Sequence, residues 1–93
     1  MIKSFYCRET KKIWEGLVST RLPRGIQHVA RRKLRMLNNA KQLNDLLIPP
    51  NNRLERLQGD HKGQHSIRIN KQWRICFKWD DGHANDVIIE DYH

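Results

Sequence analysis

The sequence predicts an α+β fold, with N-terminal helices packed on a small, mainly antiparallel β-sheet. Three observations carry that reading: the hydrophobic period changes from helical to alternating near Leu54, the break IPPNN precedes the change, and the charge is divided unequally between the two halves. At 93 residues the chain is expected to form one domain over residues 1–93. The formal net charge is +8, and hydrophobic residues make up 38%, enough for a modest core and too many for a disordered polyelectrolyte.

Residues 2–6 read as a short opening strand, and residues 9–17 as a brief helix brought to an end by Gly16 and the stretch up to Pro23. Pro23 suits the first turn of a second helix. There Ile26, Val29, Ala30, Leu34, Leu37 and Ala40 have the spacing of one buried stripe, and Arg24, Arg31, Arg32 and Arg35 fall off it. The basic run is therefore expected on the helix exterior. Leu43, Leu46 and Leu47 extend this helix or start a short third one, and the two prolines and two asparagines that follow exclude helix and impose a loop.

After the break, Ile67 and Ile69 alternate with Ser66, Arg68 and Asn70, and Trp73, Ile75, Phe77 and Trp79 alternate with Arg74, Cys76 and Lys78. Two antiparallel strands follow, with the apolar series on the helices and Arg68, Arg74, Cys76 and Lys78 on a polar, cationic opposite face. Asp80, Asp81 and Gly82 make a turn into a last strand through Val87, Ile88 and Ile89, whose continuous apolar run suggests a central strand covered on both sides. Trp73 and Trp79 are read as core residues rather than base-stacking platforms.

All of the excess positive charge lies in residues 1–41, where eleven Lys and Arg face only Glu9 and Glu15. Such a surface suits a polyanion, because Lys and Arg that neutralise phosphates release condensed counterions. Arg31, Arg32 and Arg35 are the candidate contacts to RNA or the ribosome. No apolar run is long enough for a membrane span and the N-terminus lacks a signal-peptide core, so a cytoplasmic location is expected. Cys7 and Cys76 lack the spacing of a metal site, and no P-loop, dinucleotide fingerprint or metal-ligand cluster is present, so neither metal nor cofactor is expected.

The sequence finishes on a strand ending IEDYH. Acid, phenol and imidazole in consecutive positions, near two guanidinium groups, form a kit for metal-independent RNA cleavage. That reaction needs a base for the ribose 2′-OH, stabilisation of the phosphorane charge and an acid for the 5′-oxygen. Histidine titrates near neutral pH, and arginine presents a planar fork to phosphate. The candidates are Arg74, Arg68, Asp91, Tyr92 and His93. The segment HKGQH, with Lys62 between Gly59 and Gly63, is a turn able to contact phosphate.

Three segments together, the opening MIKSF, the run RLERLQGDHKGQHSIRINKQWRICF at 53–77 and the ending IEDYH, resemble the HigB-type toxins of the RelE superfamily. The resemblance covers essentially the whole chain. It implies the RelE-like microbial RNase fold and a ribosome-dependent endoribonuclease that enters the decoding site and cuts translated messenger RNA. It also implies a HigA-type helix-turn-helix antitoxin as partner. The family places an Arg in a strand motif NWRI, matched by Arg74 in QWRI, and ends in Asp, Tyr and His, matched by Asp91, Tyr92 and His93. Arg68 matches a second functional Arg six residues upstream of Arg74. Where the family pattern reads HPLKGD this chain reads ERLQGD, so Glu55 and Gln58 replace a His and a Lys. That departure removes an imidazole and a cation and leaves Glu55 as a candidate base, with Gln58, Lys62 and Lys78 as RNA contacts. The competing readings are a non-catalytic RNA- or ribosome-binding protein using the basic half, and, with a poorer fit to the strand-rich second half, a DNA-binding repressor.

Overall fold

The computed structural model describes residues 1–57 and 63–91; the expectations placed on Gln58, Lys62, Tyr92 and His93 lie outside the described residues. Two helices, α1 (Arg8–Trp14) and α2 (Arg24–Asn39), precede two 3-10 turns, Leu43–Leu47 and Pro50–Asn52. Strands β1 (Glu55–Arg56), β2 (Gln64–Arg68), β3 (Trp73–Asp80) and β4 (His83–Asp91) follow. They form one sheet in the order β1-β2-β3-β4, each pair antiparallel.

α1 carries Glu9 in its first turn and Lys11 and Lys12 in its last, matching the helix dipole at both ends. It closes as a Schellman turn. Gly16, at φ 87°, donates to the Ile13 carbonyl and Leu17 donates to Lys12, a conformation that glycine adopts without steric cost. The link to α2 is tied by Ser19 and Gln27, whose side-chain amide accepts from the Ser19 N–H and donates to the Ser19 and Leu22 carbonyls. The backbone of Ser19, the buried residue of this otherwise largely exposed link, is thereby satisfied.

α2 buries Ile26, Ala30, Leu34 and Leu37, as its apolar spacing predicts, against Ile67, Ile75, Phe77, Val87 and Ile89 of the sheet. Two basic residues depart from the expected helix exterior. Lys33 is only 3% exposed, and Arg31 is half-buried, its Nε donating to the Ile13 carbonyl at 2.8 Å and its Nη2 to Leu17 at 3.2 Å. Arg31 caps the carbonyl end of α1, where partial negative charge accumulates. Arg32 and Arg35 are exposed, as expected.

The proline-rich break also differs from the expected loop, since Pro50–Asn52 is one 3-10 turn. Pro50 stands at its first position, where the missing N–H costs nothing. Asn52 is fully buried at its end, accepting from the Lys33 ammonium and donating to the Leu46 carbonyl at 3.2 Å.

β4 is not central. It lies at the end of the sheet order, and the opening segment reaches it only through two parallel bridges, Ile2 to Ala84 and Phe5 to Val87, in place of the expected opening strand. Thr10 Oγ1 accepts from the Ile89 N–H at 3.0 Å, covering another backbone group on that edge. The apolar run Val87–Ile89 splits across the sheet. Val87 and Ile89 are in the core, and Ile88 pairs with Cys76 on the far face. Ala84 is also in the core, three residues from Val87, because the β3–β4 register shifts between Cys76 and Lys78 and Asp86 takes φ 52°. The β3–β4 turn is the expected Asp-Gly hairpin, with Asp81 at φ 49° and Gly82 at φ 78°.

Candidate active site

The strand register assembles two adjoining polar rows on the sheet face turned away from the helices. Glu55 pairs with Ser66, Ser66 with Cys76, Arg68 with Arg74, and Arg74 with Glu90. Paired residues in antiparallel strands point to the same face, so six side chains from four strands converge there. The expected cationic face therefore exists, but it is not open throughout. Ser66 and Cys76 are buried, and Arg74 is 7% exposed.

Arg74 is held on three sides. Its Nε donates to Ser66 Oγ at 2.8 Å, its Nη2 donates to the Ser66 carbonyl at 3.3 Å and to the Arg53 carbonyl, and its Nη1 stands 4.0 Å from Glu55 Oε1. Arg53, at φ 44°, turns its carbonyl toward the guanidinium at the entry to β1. The cation is fixed before any ligand arrives, and Glu55 is the carboxylate near it. A depression of about 290 Å³ opens over this pair, walled by Arg53, Glu55, Arg68, Asn70, Lys71 and Arg74. Arg68 is half-buried, and its side chain forms no hydrogen bond or ion pair among the described residues. One arginine is thus locked and its cross-strand neighbour is available.

The remaining expected site residues are dispersed. Asp91 pairs with Trp73, which puts it on the helix-facing side of the sheet by register, and it accepts from Gln72 Nε2 at 2.9 Å. The acid opposite Arg74 is Glu90, which alternation along the last strand would have indicated had the register been known. Lys78 is exposed and pairs with Asp86 at 3.5 Å, two β3 alternation steps from Arg74. Cys76, between Arg74 and Lys78, has its thiol pushed up to about 12 by burial first and then by the charge and hydrogen bond of Glu90. It has no nucleophilic role at neutral pH. Ser66 and Asn70, read from the sequence only as polar alternation partners, matter because one anchors Arg74 and the other lines the depression. Among the described residues no group of three His, Cys, Asp or Glu side chains is placed to hold a metal ion.

A short four-strand antiparallel sheet backed by two helices is the architecture of the RelE-like toxins. Solved structures of YafQ from Escherichia coli and of the YoeB-YefM complex from Staphylococcus aureus share it. YafQ superposes at TM-score 0.64 with 14% identity, covering 98% of this chain and 93% of that one. YoeB gives 0.61 with 17% identity, covering 100% and 98%. By sequence the chain is 45% identical over 69 residues to Toxin HigB-1 of Vibrio cholerae, spanning 74% of this chain and 73% of that one. It is 32% identical to Endoribonuclease HigB of Proteus vulgaris across the full length of both. The family profile described as "RelE-like toxin of type II toxin-antitoxin system HigB" matches residues 3–93, and the chain belongs to that family.

Proposed function

We propose that this chain is a metal-independent endoribonuclease that cuts messenger RNA on the translating ribosome, arresting translation and growth until a HigA-type helix-turn-helix antitoxin binds it. The observation that carries the reading is the pairing of a locked Arg74 with an uncommitted Arg68 across the β2–β3 pair, at the wall of one depression that also contains Glu55. Two guanidinium groups on one side of a scissile phosphate stabilise the charge that develops on the phosphorane oxygens. Glu55, in the same depression, would accept the 2′-OH proton, so that the 2′-oxygen attacks phosphorus and the 5′-oxygen departs.

On this reading His93, which matches the family's C-terminal His, would donate the proton to the leaving 5′-oxygen, with Asp91 and Tyr92 in support; Gln58 and Lys62 would contact the RNA backbone. A chain of 93 residues with a glutamate and a glutamine where the family has a histidine and a lysine offers little surface to orient a free RNA, and the ribosome supplies that orientation. Action on ribosomes places the protein in the cytoplasm. No described helix is long and apolar enough to cross a membrane.

The test is to map messenger RNA 5′ ends in a translating extract and on naked RNA, with the parent chain and with His93 deleted. Cleavage confined to the translating extract and lost on deletion is expected. Efficient cutting of naked RNA refutes the ribosome requirement, and cutting at the parent rate by a folded His93 deletion refutes the role of that residue.

A further inference from the structure

A second depression, of about 300 Å³, lies between the middle of α2, the Pro50–Asn52 turn and the end of β2. Its polar wall is Arg32, Lys33, Asn51, Arg68 and Asn70, over Val29 and Ile69. The wall bears three cationic side chains and no carboxylate. The Arg74 depression differs in containing Glu55.

Lys33 makes this imbalance costly. It is 3% exposed, its ammonium donates to the neutral amide oxygen of Asn52, and among the described residues no carboxylate pairs with it. Burial first, and the charge of Arg32 second, lower the pKa of Lys33, as expected of a cation whose charge is uncompensated. An anion in the depression would neutralise it. Asn70 uses its carbonyl oxygen for the N–H groups of Gln72 and Trp73, each at 2.8 Å, which leaves its amide nitrogen as a donor.

Arg68 and Asn70 stand on the walls of both depressions. We propose that the α2-side depression binds a second phosphodiester group of the same RNA strand, held by Arg32, Lys33 and Arg68, with Arg68 as the post between it and the phosphate at Arg74. The proposal rests on the ribonuclease reading of the Arg74 depression. A strand carrying a phosphate at every nucleotide matches two adjoining cationic hollows, whereas a single peptide carboxylate would fill only one. Arg32, exposed on α2, would then act in RNA positioning rather than as a solvated charge.

The experiment is an NMR titration of the full chain with inorganic phosphate and, separately, with a single-stranded DNA oligonucleotide, which lacks the 2′-OH and is not cut. Side-chain N–H signals of Arg32, Arg68 and Arg74 report the two hollows. Phosphate is expected to move Arg32 and Arg68, with affinity weakened about tenfold in Arg32→Gln. The oligonucleotide should move all three, and Arg32→Gln should reduce its salt slope by about 0.7. Lys33→Met, which keeps the packed stem, should act in the same direction; if it fails to fold, the exposed Arg32 carries the test.

Absence of shifts at Arg32 with either probe overturns the subsite. Shifts with phosphate but not with the oligonucleotide overturn its assignment to RNA and leave an anion site for another partner, such as an acidic peptide. Cleavage in a translating extract separates this from the reading it rests on. An active parent chain with an unaltered Arg32→Gln titration removes only the second subsite, and a parent chain that cuts no messenger RNA removes the ribonuclease itself.

Discussion

Arg74 and Ser66 are joined twice across the β2–β3 pair, the guanidinium bonding both the hydroxyl and the carbonyl of the serine while a third bond reaches the Arg53 carbonyl. A residue expected to act on RNA is therefore also a tie between the entry to β1 and the middle of the sheet. Arg74→Ala should reduce cleavage by on the order of 100-fold or more. It should also destabilise the fold by about 2–3 kcal/mol, because the carbonyl and hydroxyl lose a charged donor. Parallel cleavage assays and denaturant melts decide this; an Arg74→Ala chain of parent stability shows that the tie is dispensable.

Arg68 separates chemistry from stability more cleanly. With no bond to lose among the described residues, Arg68→Gln should leave the unfolding free energy within about 0.5 kcal/mol of the parent. Its cleavage rate should fall about 10- to 100-fold if it holds phosphate. A rate equal to the parent's, measured on the same ribosomal substrate, would remove Arg68 from the site.

Arg31 and Arg35, four residues apart on one basic helix, should behave oppositely. Arg31→Ala removes two bonds to the carbonyl end of α1 and should cost about 1–2 kcal/mol. Arg35→Gln, at an exposed position, should leave stability unchanged and flatten the salt dependence of ribosome binding. Equal melting temperatures for the two variants would show that the Arg31 cap contributes nothing.

His65 supplies a pH dependence. It is buried against Phe77, with ring centroids 6.0 Å apart, and burial first and Arg56 second lower its pKa below the ordinary 6.5. The unfolded chain then binds the proton more readily than the folded one, so the stability linked to this group is present above about pH 6.5 and is lost as pH falls toward the folded value. Denaturant melts at pH 7.5 and pH 5 should show a smaller loss for His65→Leu than for the parent. An identical loss in both would exclude His65 as the source.

The two cysteines should differ in reactivity. Cys76, buried with its thiol pushed up to about 12, should resist alkylation at pH 8 in the folded chain, while the partly exposed Cys7 reacts. Mass mapping after brief treatment with iodoacetamide reads this directly. Rapid labelling of Cys76 under native conditions would contradict its burial behind Glu90 and Arg74.

Legible in the sequence alone are the two helices, the three longer strands and the cationic alternation along β2 and β3. Periodicity is local: Ile26, Ala30, Leu34 and Leu37 declare a helix face, and Arg68 and Arg74 share a strand face, whatever surrounds them. The Asp-Gly turn at 81–82 is equally local, since it follows from the positive φ that those residues tolerate. Which charges are free depends on the packing of distant segments. Arg31, Arg32, Lys33 and Arg35 look alike on a helix, yet Arg31 meets the end of α1 and Lys33 meets Asn52, because helix ends and buried turns from distant sequence supply their partners. Tertiary packing also puts Glu90 rather than Asp91 opposite Arg74. Strand register depends on where two chains pair, and the shift by Asp86 was settled by the need to bury both Ala84 and Val87.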